Sequence, residues 1–166
     1  MKHLRVLVVS LLLVGPAAAQ EIALAVDGWS AETRADGVTY YRCASANCAA
    51  GSTVSYKRQP HRPALTLAEY EQHHRGLVER NSGAGRIREA KLAAVGERVV
   101  EGVRVMHVTR VVEWTDNTVT YTIEARLVGP DRSYSLVSDS GKPDWTVNNY
   151  NGFLRRLVDI AGIKGG

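Results

Sequence analysis

Residues 101–129 read EGVRVMHVTRVVEWTDNTVTYTIEARLVG, and this stretch decides the fold class. The first half is rich in Val, and Thr115–Thr118 is a tetrad of turn-forming residues. In the second half, apolar side chains alternate with polar ones; the apolar set is Val119, Tyr121, Ile123, Ala125 and Leu127, and the polar set is Thr120, Thr122, Glu124 and Arg126. This period of two predicts antiparallel strands with one face on a core and the other in water.

The strand pattern continues on both sides of this stretch. Gly129-Pro130-Asp131 predicts a turn into RSYSLVSDS, residues 132–140. On the N-terminal side of residues 101–129 lies RIREAKLAAVGE, residues 86–97, which is the weakest strand candidate. Because these segments are close in sequence, we expect an antiparallel meander. Residues 21–43 are also strand-like, with a turn at Ala35-Asp36-Gly37, and predict an N-terminal hairpin.

Two helices complete the pattern. Thr66 and Glu69 form a capping-box pair, and a helix over residues 67–81 would place one set of side chains on one face: Leu67, Tyr70, His74, Leu77 and Val78. SGKPDW is expected to be a loop. A last helix is expected from near Thr146 to Gly162, with an apolar stripe of Val147, Tyr150, Leu154, Leu157, Val158 and Ala161.

The predicted order is hairpin, helix, meander, helix, which is an α+β domain with helices packed on a mostly antiparallel sheet. We expect one such domain over residues 20–166. The closing segment RSYSLVSDS…NNYNGFLRRLV, a strand followed by a terminal amphipathic helix, and the element order resemble PsbP-like and DcrB-like domains. The resemblance implies an exported accessory or binding protein that acts on an envelope partner. It carries over no catalytic residues and implies no cofactor.

The N-terminus has the pattern of a cleaved signal peptide over residues 1–19. Lys2 and Arg5 precede a short apolar core, and Ala17–Ala19 fit a cleavage site. We therefore expect a periplasmic or secreted protein without a membrane span after cleavage. The chain carries a net charge of +4, and loss of the leader reduces it to +2. Basic and acidic residues are interspersed, so we expect no nucleic-acid partner.

Both cysteines lie in YYRCASANCAAGSTVSYK, residues 40–57. In an oxidising compartment we expect a Cys43–Cys48 disulfide that closes a hairpin with a loop of about four residues. A redox or regulatory pair and a metal site are the alternatives, although two ligands do not complete a zinc site. The segment also resembles strands of small periplasmic lysozyme inhibitors. That resemblance implies an alternative function, inhibition of a cell-wall enzyme through the cysteine hairpin.

The remaining polar residues indicate little chemistry. His73 and His74 are adjacent on a predicted helix and so point in different directions, and we expect no metal site. No G-x-S-x-G motif marks a nucleophile, so we expect no catalytic residues and leave a hydrolase of unknown specificity as the third possibility. Exposed aromatic residues favour interfaces, and the sequence offers three for a binding surface: Tyr40, Tyr41 and Trp145.

Overall fold

The computed structural model describes residues 24–160, so the predicted signal peptide lies outside the described residues. Seven strands are present: β1 Trp29–Thr33, β2 Thr39–Cys43, β3 Thr53–Gln59, β4 Ile87–Val100, β5 Val103–Trp114, β6 Val119–Val128 and β7 Ser133–Ser140. Two helices accompany them, α1 Leu67–Asn81 and α2 Pro143–Ile160. Within residues 24–160, no helix combines the length and apolarity that crossing a membrane requires.

All seven strands belong to one antiparallel sheet, in the order β1-β2-β3-β7-β6-β5-β4. Strands β4 to β7 form the predicted meander, and β1 to β3 form two N-terminal hairpins. The two groups join where β3 pairs with β7. The α+β prediction, with a helix packed on an antiparallel sheet, is confirmed.

One face of the sheet packs against α2. The alternating apolar side chains of β6 point to this face, as do the apolar side chains of its neighbours in register. Its centre consists of buried residues from the strands and the helix: Tyr41, Val54, Tyr56, Val105, Ile123, Leu127, Leu136, Tyr150, Phe153, Leu154, Leu157 and Val158. We call this the α2 face.

The opposite face, which we call the α1 face, was expected to be in water, and this expectation is wrong. Thr122 is only 6% exposed, and Met106, Val108 and Val128 form a second apolar cluster with Leu65 and Tyr70. The reason is topological. The chain leaves β3, near the middle of the sheet, and enters β4 at the far edge, so α1 crosses the face that α2 does not cover.

The helix boundaries agree with the sequence for α1 and differ for α2. In α1 both halves of the capping box form, since Thr66 accepts from the Glu69 amide and the Glu69 carboxylate accepts from the Thr66 amide. Helix α2 begins at Pro143 rather than near Thr146. Proline suits the first helical position because the amide that it lacks has no intrahelical partner there. Trp145 therefore lies in the first turn of α2 and not in a loop.

Candidate functional site

A cleft of about 330 Å³ lies between α1 and the α1 face of the sheet. One wall is α1, a second wall is the proline-containing loop after β3, and the floor is formed by β6 and β7. Most of the lining side chains are polar or charged: Gln59, Arg62, Glu69, Tyr70, His73, His74, Glu124, Arg126 and Ser135. The cleft exists because α1 packs mainly on β4 and β5, which leaves the floor over β6 and β7 open.

Glu124 is the centre of the polar contacts on the floor. Its carboxylate accepts a hydrogen bond of 2.7 Å from Arg110 of β5, and its other oxygen lies 4.0 Å from His74 Nε2. The backbone carbonyl of Glu124 accepts from the Tyr70 hydroxyl at 3.2 Å. Burial, reinforced by the negative charge of Glu124, raises the pKa of Tyr70. Tyr70 therefore acts as a neutral donor that ties α1 to the floor.

His74 is almost fully enclosed, with 1% of its surface exposed. Burial lowers its pKa to about 4, and the positive charges of Arg110 and His73 act in the same direction. The ring packs edge-on against Tyr70 at 4.4 Å, and its Nδ1 has no hydrogen-bond partner among the described residues. At neutral pH this histidine is uncharged and serves as a packing residue at the back of the cleft, as the sequence predicted.

Two arginines, Arg62 and Arg126, line the cleft, and Arg126 has the more unusual environment. Arg126 is half-buried, and one of its terminal nitrogens donates to the Pro60 carbonyl at 3.3 Å. Its Nε is buried and has no hydrogen-bond partner in the described part of the chain. Burial and then the nearby charge of Arg62 lower the pKa of Arg126, against the opposing effects of Tyr70 and Glu124. Sequence alternation assigned Arg126 to a wet strand face and gave no sign of this environment.

Beyond the cleft, the same face carries a half-buried carboxyl group. Asp139 of β7 accepts hydrogen bonds from Thr122 at 2.5 Å and from Thr53 at 3.5 Å, its register neighbours on β6 and β3. Burial raises the pKa of Asp139, and the two hydroxyl donors and Arg110 oppose that shift. Because the hydroxyl groups of Thr122 and Thr53 donate to the Asp139 carboxylate, these three polar side chains can lie side by side with little exposure to solvent.

The predicted aromatic residues do not lie on one surface. Tyr41 is fully buried on the α2 face, with its ring 4.8 Å from Phe153. Tyr40, its chain neighbour, points to the opposite face, where it is half-buried under the Arg34 guanidinium at 3.9 Å. Trp145 is half-buried on α2. Only Tyr40 is on the same face of the sheet as the cleft, and Tyr41 offers no surface to a partner in this fold.

The disulfide forms as predicted, with Cys43 and Cys48 Cα atoms 5.6 Å apart. The connection between β2 and β3 spans residues 44–52 and includes a short 3-10 turn over Ala46–Cys48, so it is longer than the four residues expected. Cys48 is 2% exposed, and its carbonyl accepts from the Asn149 amide of α2 at 3.5 Å. The disulfide links the loop to the end of β2, and the hydrogen bond from Asn149 holds the same loop against α2.

A serine–histidine pair lies at the outer end of the α1 face. His61 Nδ1 and Ser133 Oγ are 3.1 Å apart, a distance typical of a nucleophile and its base. Ser133, however, has no exposed surface, and nearby Asp131 is bound by Arg132 at 2.7 Å. A substrate has no access to this hydroxyl, so the pair functions as a structural contact. In residues 24–160, no group of three His, Cys, Asp or Glu side chains is placed to hold a metal ion.

No single stretch of sequence predicts the cleft, because its lining comes from four separate segments. Gln59 ends β3 and Arg62 follows that strand, Glu69 to His74 belong to α1, and the floor belongs to β6 and β7. None of these segments carries a motif on its own, and only the crossover of α1 brings them together.

The chain matches no protein-family model and no curated protein sequence.

Proposed function

We propose that this protein is an exported, non-catalytic binding protein that holds a small ligand in the cleft between α1 and the sheet. The observation that carries the proposal is the cleft itself, since polar groups from three sides converge on a concavity of about 330 Å³. Small-molecule sites have this size and combine shape with a few placed polar groups. The resemblance to PsbP-like and DcrB-like domains, which are mostly accessory or binding proteins, agrees with this function.

Two features support export to the periplasm or to the exterior. The leader pattern of residues 1–19 is typical of a secretory signal peptide. The Cys43–Cys48 disulfide is compatible with an extracytoplasmic location, because such bonds persist in oxidising compartments. If export occurs as proposed, mass spectrometry of the exported protein will find a mature N-terminus at Gln20 or Glu21, whereas a chain that retains Met1 would contradict it.

The two other functions that the sequence left open have less support. An inhibitor loop needs a protruding side chain to enter an active site, but the exposed residues of the disulfide loop 44–52 are small: Ala44, Ala46, Asn47, Ala50 and Gly51. A hydrolase needs an accessible nucleophile, and the Ser133 hydroxyl is enclosed. Neither function therefore replaces the binding proposal.

The test is native mass spectrometry of protein purified from the exporting cells. We expect a fraction of the wild-type protein to carry a small molecule. Ser135→Trp fills the floor of the cleft and should abolish that species, whereas Ala93→Trp adds the same bulk to an exposed position of β4 and should retain it. Identical ligand occupancy in both variants, or no bound species in the wild type even after incubation with a small-molecule extract of the same cells, would overturn the proposal.

A further inference from the structure

The acidic and the basic side chains of the cleft differ in how well groups of the protein itself satisfy them. Two glutamates and two arginines line it. Glu69 accepts from both the amide and the hydroxyl of Thr66, each at 2.8 Å, and Glu124 accepts from Arg110 at 2.7 Å. Both carboxylates thus have strong donors from within the protein. The arginines of the cleft do not have equivalent acceptors.

Arg126 shows this most clearly. No carboxylate of the described residues lies within ion-pair distance of it, and its hydrogen-bond partner is the neutral Pro60 carbonyl at 3.3 Å. Its Nε–H is buried without an acceptor. A buried charged donor without a partner is costly, so such a group normally has an acceptor in the functional state.

Arg62 adds a second positive charge at the same cleft. Its guanidinium lies 3.9 Å from Glu69, its side chain is 59% exposed, and it can therefore move toward a ligand. Burial is the main cause of the lowered pKa of Arg126, and the charge of Arg62 acts in the same direction, while Tyr70 and Glu124 oppose it. An anion in the cleft would offset the like charges of Arg62 and Arg126, and it would contact the part of Arg126 that lines the cleft, because the Nε atom itself is enclosed.

We propose that the cleft selects a small molecule carrying an oxyanion, a carboxylate or a phosphate, which binds between Arg62 and Arg126. This inference rests on the proposed function and specifies the chemical class of its ligand. The guanidinium fork of arginine presents paired N–H groups that match the oxygens of both anions. Gln59 and Ser135, which hydrogen-bond each other at 2.9 Å on the floor, provide neutral donors for the remainder of the ligand.

The anion site is tested with inorganic phosphate and with succinate as separate probes, at constant ionic strength. NMR spectra of the arginine side chains follow the Nε–H signal of Arg126 during each titration. We expect a saturable shift of this signal, and the probe that binds more tightly distinguishes a phosphate ligand from a carboxylate ligand. Loss of the positive charge in Arg126→Gln or Arg62→Gln should weaken binding about tenfold or more.

Arg75→Gln is the matched control, because Arg75 lies on α1 outside the cleft and is bound to Glu71. Its binding should equal that of the wild type. Arg62→Gln alters an exposed side chain and preserves the fold, so it remains informative if Arg126→Gln unfolds. Absence of saturation with both probes, or equal affinity in Arg62→Gln and Arg75→Gln, would overturn the anion site. A neutral or cationic molecule found in the cleft by native mass spectrometry would overturn it too, while leaving the binding function intact.

Discussion

Gly96 of β4 lies directly opposite His107 of β5, and the imidazole covers the glycine so closely that a Cβ at Gly96 would stand 2.7 Å from Cε1 of the ring. Real Cβ contacts are essentially never that short. Burial, with a contribution from the positive charge of Arg98, lowers the pKa of His107, so this ring packs as a neutral group on the α2 side of the sheet. The glycine thus creates the space that the histidine occupies.

Gly96→Val should therefore displace the His107 ring and lower the free energy of unfolding by about 1–3 kcal/mol, the usual cost of overpacking. The measurement is urea denaturation of the single variants and of the double variant Gly96→Val/His107→Ala. Removing the ring should relieve the clash, so the double variant should lose less stability than the sum of the single variants. Strict additivity would show that the two residues do not compete for space.

Stability should fall in acid because of His74. The pKa of this group is about 4 in the folded protein and near its ordinary value of 6.5 in the unfolded chain. Between these values the unfolded chain binds more protons, so the free energy of unfolding decreases as the pH falls from about 6.5 to about 4. A shift of this size corresponds to about 3 kcal/mol.

His74→Phe should make the pH profile shallower by that amount, since it keeps an aromatic ring against Tyr70 without a titrating group. Asp139 has a raised pKa and so acts in the opposite sense, but it is present in both proteins and cancels in the comparison. Urea denaturation at pH 7.0, 5.5 and 4.5 checks the prediction. Parallel profiles for the two proteins would contradict it.

The apolar clusters on both faces of the sheet should be intolerant of charge. Leu157→Asp places a carboxylate on the α2 face and Val108→Asp places one on the α1 face, where both native residues are almost fully enclosed. Each variant should lose at least about 3 kcal/mol of unfolding free energy. Val99→Asp, at a position that is 70% exposed on β4, should change stability by less than about 0.5 kcal/mol. The melting temperatures of the three variants are compared with that of the wild type. A wild-type melting temperature for Val108→Asp would show that the α1 face is open.

Removing the disulfide should weaken the protein without unfolding it. The bond closes a loop of only a few residues, and the chain-entropy model gives a stabilisation of about 2 kcal/mol. Cys43→Ala/Cys48→Ala suits the test, because alanine adds no hydroxyl at the enclosed Cys48 position. Denaturation measures the loss, and circular dichroism should show an unchanged fold. Two titratable thiols in the unreduced wild-type protein would contradict the assignment.

Local patterns predicted the parts of the fold that local interactions determine. The strand β6, the capping box at Thr66 and the cysteine pair in YYRCASANC each depend on neighbours in the chain, and each prediction is confirmed. The predicted start of α2 is wrong because the proline in SGKPDW indicates a loop, although the first turn of a helix tolerates proline.

The cover of the α1 face could not be predicted in the same way. Alternation shows which side chains share a face, but it does not show which element packs on that face. Thr122 and Glu124 looked like wet positions because their side chains are polar, yet Asp139 and Arg110 satisfy them under low exposure. Polar side chains with partners on adjacent strands can thus line a covered face, and only the topology of α1 shows it.

The pairing of β3 with β7 has a consequence for how a nascent chain acquires its structure. Facing residues such as Thr53 and Asp139 are 86 positions apart, and β7 and α2 are synthesised after the other described elements. Until that segment emerges, the backbone groups on the β7 side of β3 have no partner strand. The side chains of Val54 and Tyr56 also lack the core residues that β7 and α2 contribute. Unpaired edges recruit foreign strands. We therefore expect chains truncated before Ser133 to aggregate more readily than the full chain.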